Sequence, residues 1–270
     1  KLEEFKEQAL MSKKLATIYR EAPLTLSIQD TAYTNPDTNK LSALYQELGF
    51  KSLLEKIDGA VSESPKVLDD ITFTFAEEIT EELFTDDSSL YIEILDDNYH
   101  TADVIGISIK NENGLFYVRT EQALQSTLFK NWIEDETKRK YVYDAKRSIV
   151  ALRRFDLDLK GIDFDLLLAS YILNPSDNVD DFASVANKHG YNNVQKDEVV
   201  YGKGAKRKLP EEHVYAKHIA RKAQGIEELV EHCRKALSEN EQLDLFHKLE
   251  MPLSLILANM ESIGVKVDIE

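Results

Sequence analysis

The feature that most constrains the fold of this chain is a change in hydrophobic period along its length. Four segments in the first half alternate apolar and polar residues or are rich in β-branched residues, a pattern typical of strands. They are Ile71–Phe75, Leu90–Leu95, Val104–Ile109 and Leu115–Val118. From Glu121 onward the period lengthens to that of helices, with one short predicted strand at Lys140–Tyr143. Strands that come first and then alternate with helices predict an α/β domain with a mixed sheet.

Apolar residues at helical spacing predict helices on both sides of these strands. Upstream, the spacing predicts helices within residues 1–22 and over Thr38–Leu48, followed by a polar linker at Asp58–Pro65. Downstream, the predicted helices are Glu121–Glu136, Ala145–Phe155, Phe164–Leu173, Val179–His189, Pro210–Ser238 and Gln242–Met260.

Charge and composition exclude several classes of protein. The formal net charge is -16, which argues against a segment that binds a phosphate backbone by charge alone. No apolar run approaches the roughly 18 to 20 residues that a membrane span needs, and the N-terminus lacks the basic and apolar regions of a signal peptide. The single cysteine, Cys233, rules out an internal disulfide. We therefore expect a cytoplasmic location and no membrane partner.

The charge is unevenly distributed along the chain. The stretch Asp69–Asp103 contains many acids and no Lys or Arg. A later loop is basic, and its residues Lys203, Lys206, Arg207 and Lys208 are candidates for contact with DNA. A run of like charge is usually a solvated face, and we favour that interpretation for both stretches.

Three stretches carry a resemblance to a known family. They are FDLLLASYIL at Phe164–Leu173, EVVYGKGAKR at Glu198–Arg207 and LEMPLSLILANMESIGVKV at Leu249–Val267. In this order and spacing they resemble bacterial family A DNA polymerase I, and Ala9–Leu24 and Leu44–Leu54 are similar to the end of that family's 5'-nuclease domain. The resemblance covers essentially the whole chain.

The resemblance implies three domains and a fold for the middle one. Residues 1–62 would be the tail of a 5'-nuclease domain with a linker, 63–241 a 3'-5' exonuclease-like domain, and 242–270 the start of the polymerase domain. The implied fold class is α/β, an RNase H-like mixed sheet flanked by helices, with helical segments at both ends.

The resemblance also implies activity and partners for a parent protein. That protein would perform DNA-templated DNA synthesis in repair and replication, bind DNA, and act as a monomer. Mg²⁺ would lie in the polymerase domain, and we expect no cofactor in this segment. The intramolecular partners would be the polymerase and 5'-nuclease domains.

In active members, the exonuclease holds two metal ions through several carboxylates, two of them at i and i+2 on the first strand. The positions that the resemblance assigns to these carboxylates are Ile92 and Ile94, then Ser148, and then Lys222, with His218 at a neighbouring tyrosine position. Because none of these residues is an acid, we expect no catalytic residue and no metal in this segment.

Three hypotheses follow. The leading one is a catalytically inactive exonuclease fold that supports the polymerase. The second is a live 3'-5' exonuclease with shifted carboxylates, drawn from Asp96, Asp97, Asp144 or Asp165. The third is an interaction module whose acidic stretch Asp69–Asp103 binds a basic partner. The third requires these acids to share one surface.

Overall fold

The chain forms two compact units, Lys1–Lys66 and Val67–Glu270, in a computed structural model. The structure describes residues 5–19, 23, 31–33, 36–48, 50, 53–54, 68–96, 98–176 and 181–267. The first unit contains α1 (Lys6–Ala16) and α2 (Thr38–Glu47). The predicted linker Asp58–Pro65 lies outside the described residues.

The second unit is built on a six-stranded mixed sheet, as the sequence predicts. Its strands lie in the order β1-β4-β3-β2-β5-β6. The pairs β2·β3 and β3·β4 are antiparallel, and β1·β4, β2·β5 and β5·β6 are parallel. The strand bounds are β1 Thr74–Phe75, β2 Asp87–Ile94, β3 Val104–Asn111, β4 Gly114–Val118, β5 Arg139–Val142 and β6 Ile162–Asp165.

Helices flank this sheet. Their bounds are α3 Thr120–Gln125, α4 Thr127–Ile133, α5 Ala145–Arg153, α6 Leu166–Leu173, α7 Phe182–Lys188, α8 Asp197–Tyr201, α9 Glu212–Glu239 and α10 Met251–Ile263. A π-helical turn, Phe246–Glu250, leads into α10. In the part of the chain that the structure describes, no helix is both long and apolar enough to cross a membrane.

Capping side chains move several boundaries from their predicted positions. The predicted helix Glu121–Glu136 is two helices, because the Ser126 hydroxyl accepts the Phe129 N–H (3.2 Å) and starts α4. The segment Ile162–Asp165 is a strand, and α6 begins after Asp165 because that carboxylate accepts the Leu167 N–H (2.9 Å).

The two faces of the sheet bury separate cores. One face carries Tyr91, Tyr117 and Phe164 and packs against α6, α7 and the long helix α9. The other face carries Ile92, Ile94 and Ile107 and packs with residues of α4 and α5. Since both faces are covered, apolar residues occupy both sides of the central strands.

Helix α9 approaches strand β3 closely at Gly106, which is paired with Glu93 of β2. A Cβ atom at Gly106 would lie 2.6 Å from the Tyr117 ring and 3.0 Å from Ile219 of α9. The absence of a side chain at Gly106 therefore lets α9 pack closely on β3 at this point.

Candidate functional site

Strand β2 presents alternate residues to the two cores. Tyr91 packs in the core that contains α9, and the Ser89 hydroxyl donates to Glu227 of that helix (2.8 Å). Glu93 also faces α9 and is 2% exposed. Ile92 and Ile94 face the opposite core. The period of two along a strand explains this separation.

Helix α9 carries two buried polar residues one turn apart, His218 and Lys222. The Lys222 Nζ atom lies 2.6 Å from Glu93 Oε2 and 2.7 Å from Asp197 Oδ1. It also donates to the Tyr91 hydroxyl (3.3 Å) and lies 4.7 Å from the centre of that ring. A single ammonium, 0% exposed, thus bridges two carboxylates from different elements.

The short helix α8 supplies the remaining members of the site. His218 Nε2 lies 2.7 Å from Asp197 Oδ1 and is the donor, because a carboxylate oxygen accepts. The Tyr201 hydroxyl donates to Glu93 Oε2 (3.2 Å). We refer to these side chains as the Lys222 cluster, which comprises Tyr91, Glu93, Asp197, Tyr201, His218 and Lys222.

The cluster contains two carboxylates and one ammonium, and burial separates the pKa values of its members. Burial raises the pKa of Glu93 to about 7, although the Lys222 ammonium opposes the change. Burial also acts to raise the pKa of Asp197, but the Lys222 charge and the His218 hydrogen bond hold it well below its usual range. Burial and the Lys222 charge lower the pKa of His218 to about 4. The folded chain therefore favours a neutral His218.

This lowered pKa predicts a pH-dependent contribution of His218 to stability. This contribution to the free energy of unfolding is fully present above about pH 6.5, the pKa of a histidine in the unfolded chain. It is lost as the pH falls towards 4, because only the unfolded chain then binds a proton at His218. The unfolding free energy of the unmodified chain, relative to a His218→Gln variant, should fall by up to about 1.4 kcal/mol per pH unit across this window. Urea denaturation at several pH values measures it. A difference that stays constant with pH would contradict the assignment.

Three members of the cluster have the spacing of metal ligands. Glu93, Asp197 and His218 each offer one ligand atom, and these three atoms all lie within 4.8 Å of one another. Carboxylate oxygens and imidazole nitrogens are common ligands of divalent cations. The Lys222 ammonium already contacts both carboxylates, so a divalent cation would have to displace or repel it.

The structure brings together only part of the predicted site. His218 and Lys222 lie side by side, but Ile92 and Ile94 are on the other face of the sheet, in contact with the opposite core. The physical reason is the alternation along β2, which directs Tyr91 and Glu93, rather than the two isoleucines, towards α9. The i and i+2 pair that faces Lys222 is therefore Tyr91 and Glu93. Ile92 and Ile94 therefore do not share a face with Lys222.

Ser148 lies in α5, 5% exposed, and its hydroxyl donates to the Asp144 carbonyl (3.0 Å). Asp144 caps the start of α5, where its carboxylate accepts the Arg147 N–H (3.1 Å). Asp165 in turn accepts the backbone N–H groups of Asp144 (3.0 Å) and Ala145 (2.7 Å). Both carboxylates are thus occupied by capping, whereas Asp97 lies outside the described residues.

Two residues of the basic loop after α8 make contacts within the chain. Lys203 pairs with Glu198 (2.9 Å), and Arg207 donates to the Leu95 carbonyl (2.6 Å). Lys206 and Lys208 are exposed. Contact of this loop with DNA remains a prediction.

Two solved structures are similar in fold to this chain. The chain resembles the POL domain of Pol1 from M. smegmatis in complex with DNA primer-template and dNTP, with a TM-score of 0.56 and 18% identity over 70% of this chain and 30% of that one. It also resembles Brucella melitensis NrnC, with a TM-score of 0.57 and 11% identity over 74% of this chain and 98% of that one. The chain shares with these structures the fold of a mixed sheet flanked by helices.

The particular family follows from the sequence. Residues 90–229 match the family described as "DNA polymerase I, ribonuclease H-like domain", and the chain belongs to this family. It is 45% identical to DNA polymerase I of Bacillus subtilis (strain 168), over 100% of this chain and 31% of that protein. It is 48% identical to DNA polymerase I of Bacillus caldotenax, over 99% of this chain and 30% of that protein. The chain thus spans about a third of the length of these relatives.

Proposed function

We propose that the exonuclease-like domain of this chain does not cut DNA and serves as a structural module of a DNA polymerase I. One observation carries the proposal: the Lys222 ammonium lies between the carboxylates of Glu93 and Asp197. Two-metal hydrolysis requires several carboxylates that converge on divalent cations. In this chain a fixed positive charge already neutralises the carboxylates that face the site.

The residues of β2 support the same proposal. The resemblance places two carboxylates at an i and i+2 pair on the first long strand, and the pair that faces Lys222 contains Tyr91 and Glu93. Tyr91 is buried, and Glu93 accepts bonds from Tyr201 and Lys222. One acid therefore remains where the chemistry uses two.

We extend the proposal to the parent protein, because relatives called DNA polymerase I are about three times as long. The parent would carry out DNA-templated DNA synthesis in repair and replication, as a cytoplasmic monomer, with Mg²⁺ in its polymerase domain. Residues 1–62 would belong to a 5'-nuclease domain and 242–270 to the polymerase domain. The basic loop at Lys203–Lys208 would contact DNA.

A live exonuclease is the second candidate, and one observation favours it. The ligand atoms of Glu93, Asp197 and His218 are close enough to hold a metal ion. Displacement of the Lys222 side chain would expose them. Asp144 and Asp165 give no support to a shifted carboxylate site, because each is engaged with backbone N–H groups at a helix start.

The acidic stretch Asp69–Asp103 gives little support to an interaction module. Its members pair with basic residues from several different elements of the fold. The pairs are Asp70 with Lys217, Glu77 with Arg119, Asp86 with Lys138, Asp87 with Arg139 and Glu93 with Lys222. These five acids pair with partners in different elements, which argues against a single docking surface formed by them.

A digestion assay distinguishes the two nuclease hypotheses. The purified chain is incubated with a 5'-labelled single-stranded oligonucleotide and Mg²⁺ or Mn²⁺, next to a matched Glu93→Gln variant that keeps the size of the side chain. We expect no 3' shortening beyond that of the variant, because Lys222 opposes metal binding. Metal-dependent shortening that Glu93→Gln abolishes would establish a live site and overturn the proposal.

A further inference from the structure

Helix α10 packs on α5 through an unusual face. Its buried residues are Met251, Ser254 and Ala258, two of which have small side chains. Its large apolar residues point outward and are 39–61% exposed, namely Leu253, Leu255, Ile256, Leu257 and Met260. This face offers few large side chains to interlock with α5, so directional polar contacts add to what fixes the orientation of α10.

Most of these contacts converge on one residue of α10, Glu261, and Arg153 of α5 also donates to the Ser262 hydroxyl (3.2 Å). Its Oε2 atom accepts the Tyr99 hydroxyl (2.6 Å), and its Oε1 atom accepts Lys146 Nζ (2.6 Å). His100 Nε2 lies 3.4 Å from Oε2. Both oxygens of the carboxylate are thus engaged, one mainly by the loop between β2 and β3 and the other by α5. Two directions of contact fix a carboxylate more firmly than a single one.

The loop that carries Tyr99 and His100 is itself held by arginines. Arg147 donates to the carbonyls of Ile94 and Asp96 (both 2.8 Å), and Arg207 donates to that of Leu95 (2.6 Å). Arg154, which directly follows α5, donates to the carbonyls of Tyr99, Thr101 and Ala102. Guanidinium groups therefore fix the backbone at the start and at the end of the loop. These hydrogen bonds hold the backbone that carries the Tyr99 side chain.

We propose that Tyr99, His100 and Lys146 form a clasp that recognises Glu261 and fixes the orientation of α10 on the exonuclease-like domain. This inference rests on the structural role proposed above and names the contact through which that role is exerted. The clasp joins the loop after β2 and helix α5 to the segment that the resemblance assigns to the polymerase. Its recognition chemistry is that of a carboxylate bound by one ammonium and one hydroxyl.

A double-mutant cycle in the full 270-residue chain tests the clasp. The variants are Glu261→Gln, Lys146→Met and the combination, read by amide hydrogen exchange in α10 and, as an internal reference, in α9. We expect about tenfold faster exchange in α10 for each single variant, the size of a lost charged hydrogen bond. The combination should be no faster than either single variant, because both remove the same contact.

Lys248→Met is the matched control, since its ion pair with Asp244 is exposed and lies outside the clasp. Its exchange in α10 should equal that of the unmodified chain. Unchanged exchange in Glu261→Gln, or additive effects in the combined variant, would overturn the proposal.

A distance measurement tests the orientation itself. Spin labels at Ile256→Cys and Lys235→Cys, both exposed, report the position of α10 against α9, and Cys233 is buried and remains unlabelled. Glu261→Gln should broaden the distance distribution, whereas an unaltered narrow distribution would overturn the proposal.

Metal-dependent DNA digestion would instead overturn the proposed inactivity and leave both the hydrogen exchange and the distance distribution unchanged. The proposed inactivity and the proposed clasp can therefore be contradicted independently of each other.

Discussion

Replacement of Lys222 by methionine is expected to lower the free energy of unfolding by about 3–5 kcal/mol, the cost of removing one partner from a buried ion pair. Methionine fills a similar volume but cannot pair with Glu93, which is 2% exposed and must then either stay charged or bind a proton, and it cannot donate to Asp197. Urea denaturation at neutral pH, followed through far-ultraviolet circular dichroism, measures the change. The loss should be partly recovered in a Lys222→Met/Glu93→Gln double variant, because the uncompensated charge is then removed.

Lys217→Met provides a control on the same helix. The Lys217 side chain is 28% exposed and pairs with Asp70, which is 87% exposed, so its loss should cost less than about 1 kcal/mol. Equal destabilisation by the two methionine variants would contradict the central role of Lys222. It would indicate that α9 responds to loss of any lysine.

The second large effect is expected from Asp165→Ala. The carboxylate, 1% exposed, accepts backbone N–H groups at the starts of two helices: those of Asp144 and Ala145 at α5 and that of Leu167 at α6. Each cap contributes about 0.5–2 kcal/mol, so we expect the loss of two caps to cost about 1–4 kcal/mol in total. The same denaturation experiment measures it.

Asp181→Ala is the matched single-cap variant. Asp181 accepts the Ser184 N–H (2.9 Å) at the start of α7 only, so its replacement should cost about half as much. If Asp165→Ala were no more destabilising than Asp181→Ala, the joint capping of α5 and α6 would be refuted.

The order of strands and helices could be predicted because the hydrophobic period is a local property. The strands near Leu90–Leu95 and Val104–Ile109 and the long helix at Pro210–Ser238 are confirmed as β2, β3 and α9. Boundaries were less predictable, since they depend on single side chains such as Ser126 and Asp165 that cap from the position before a helix.

The face of β2 that meets α9 could not be predicted from period alone. The period fixes which residues share a face, but both faces of this sheet are buried, so both carry apolar residues. One signal was available: Glu93 is the single acid in the apolar run Leu90–Leu95, and a buried acid requires a partner. A lysine on the facing helix, Lys222, is such a partner.

Asp197 was missed for a different reason. It opens α8, a helix of 5 residues, which is too short for any period to be visible. Asp197 and Tyr201 are one turn apart, so both reach the cluster from this single turn. Only the folded chain shows that the turn lies against α9.

The bridging position of Lys222 has an evolutionary consequence. A mutational path from this cluster to one that binds two metal ions would replace Lys222 and introduce an acid, for example at Tyr91. Each step taken alone leaves either two unpaired carboxylates or a buried carboxylate without a metal, at a cost of several kcal/mol, on the order of the whole stability margin of a domain. Such a path would therefore pass through destabilised single variants, so a two-metal site is difficult to build into this cluster one substitution at a time.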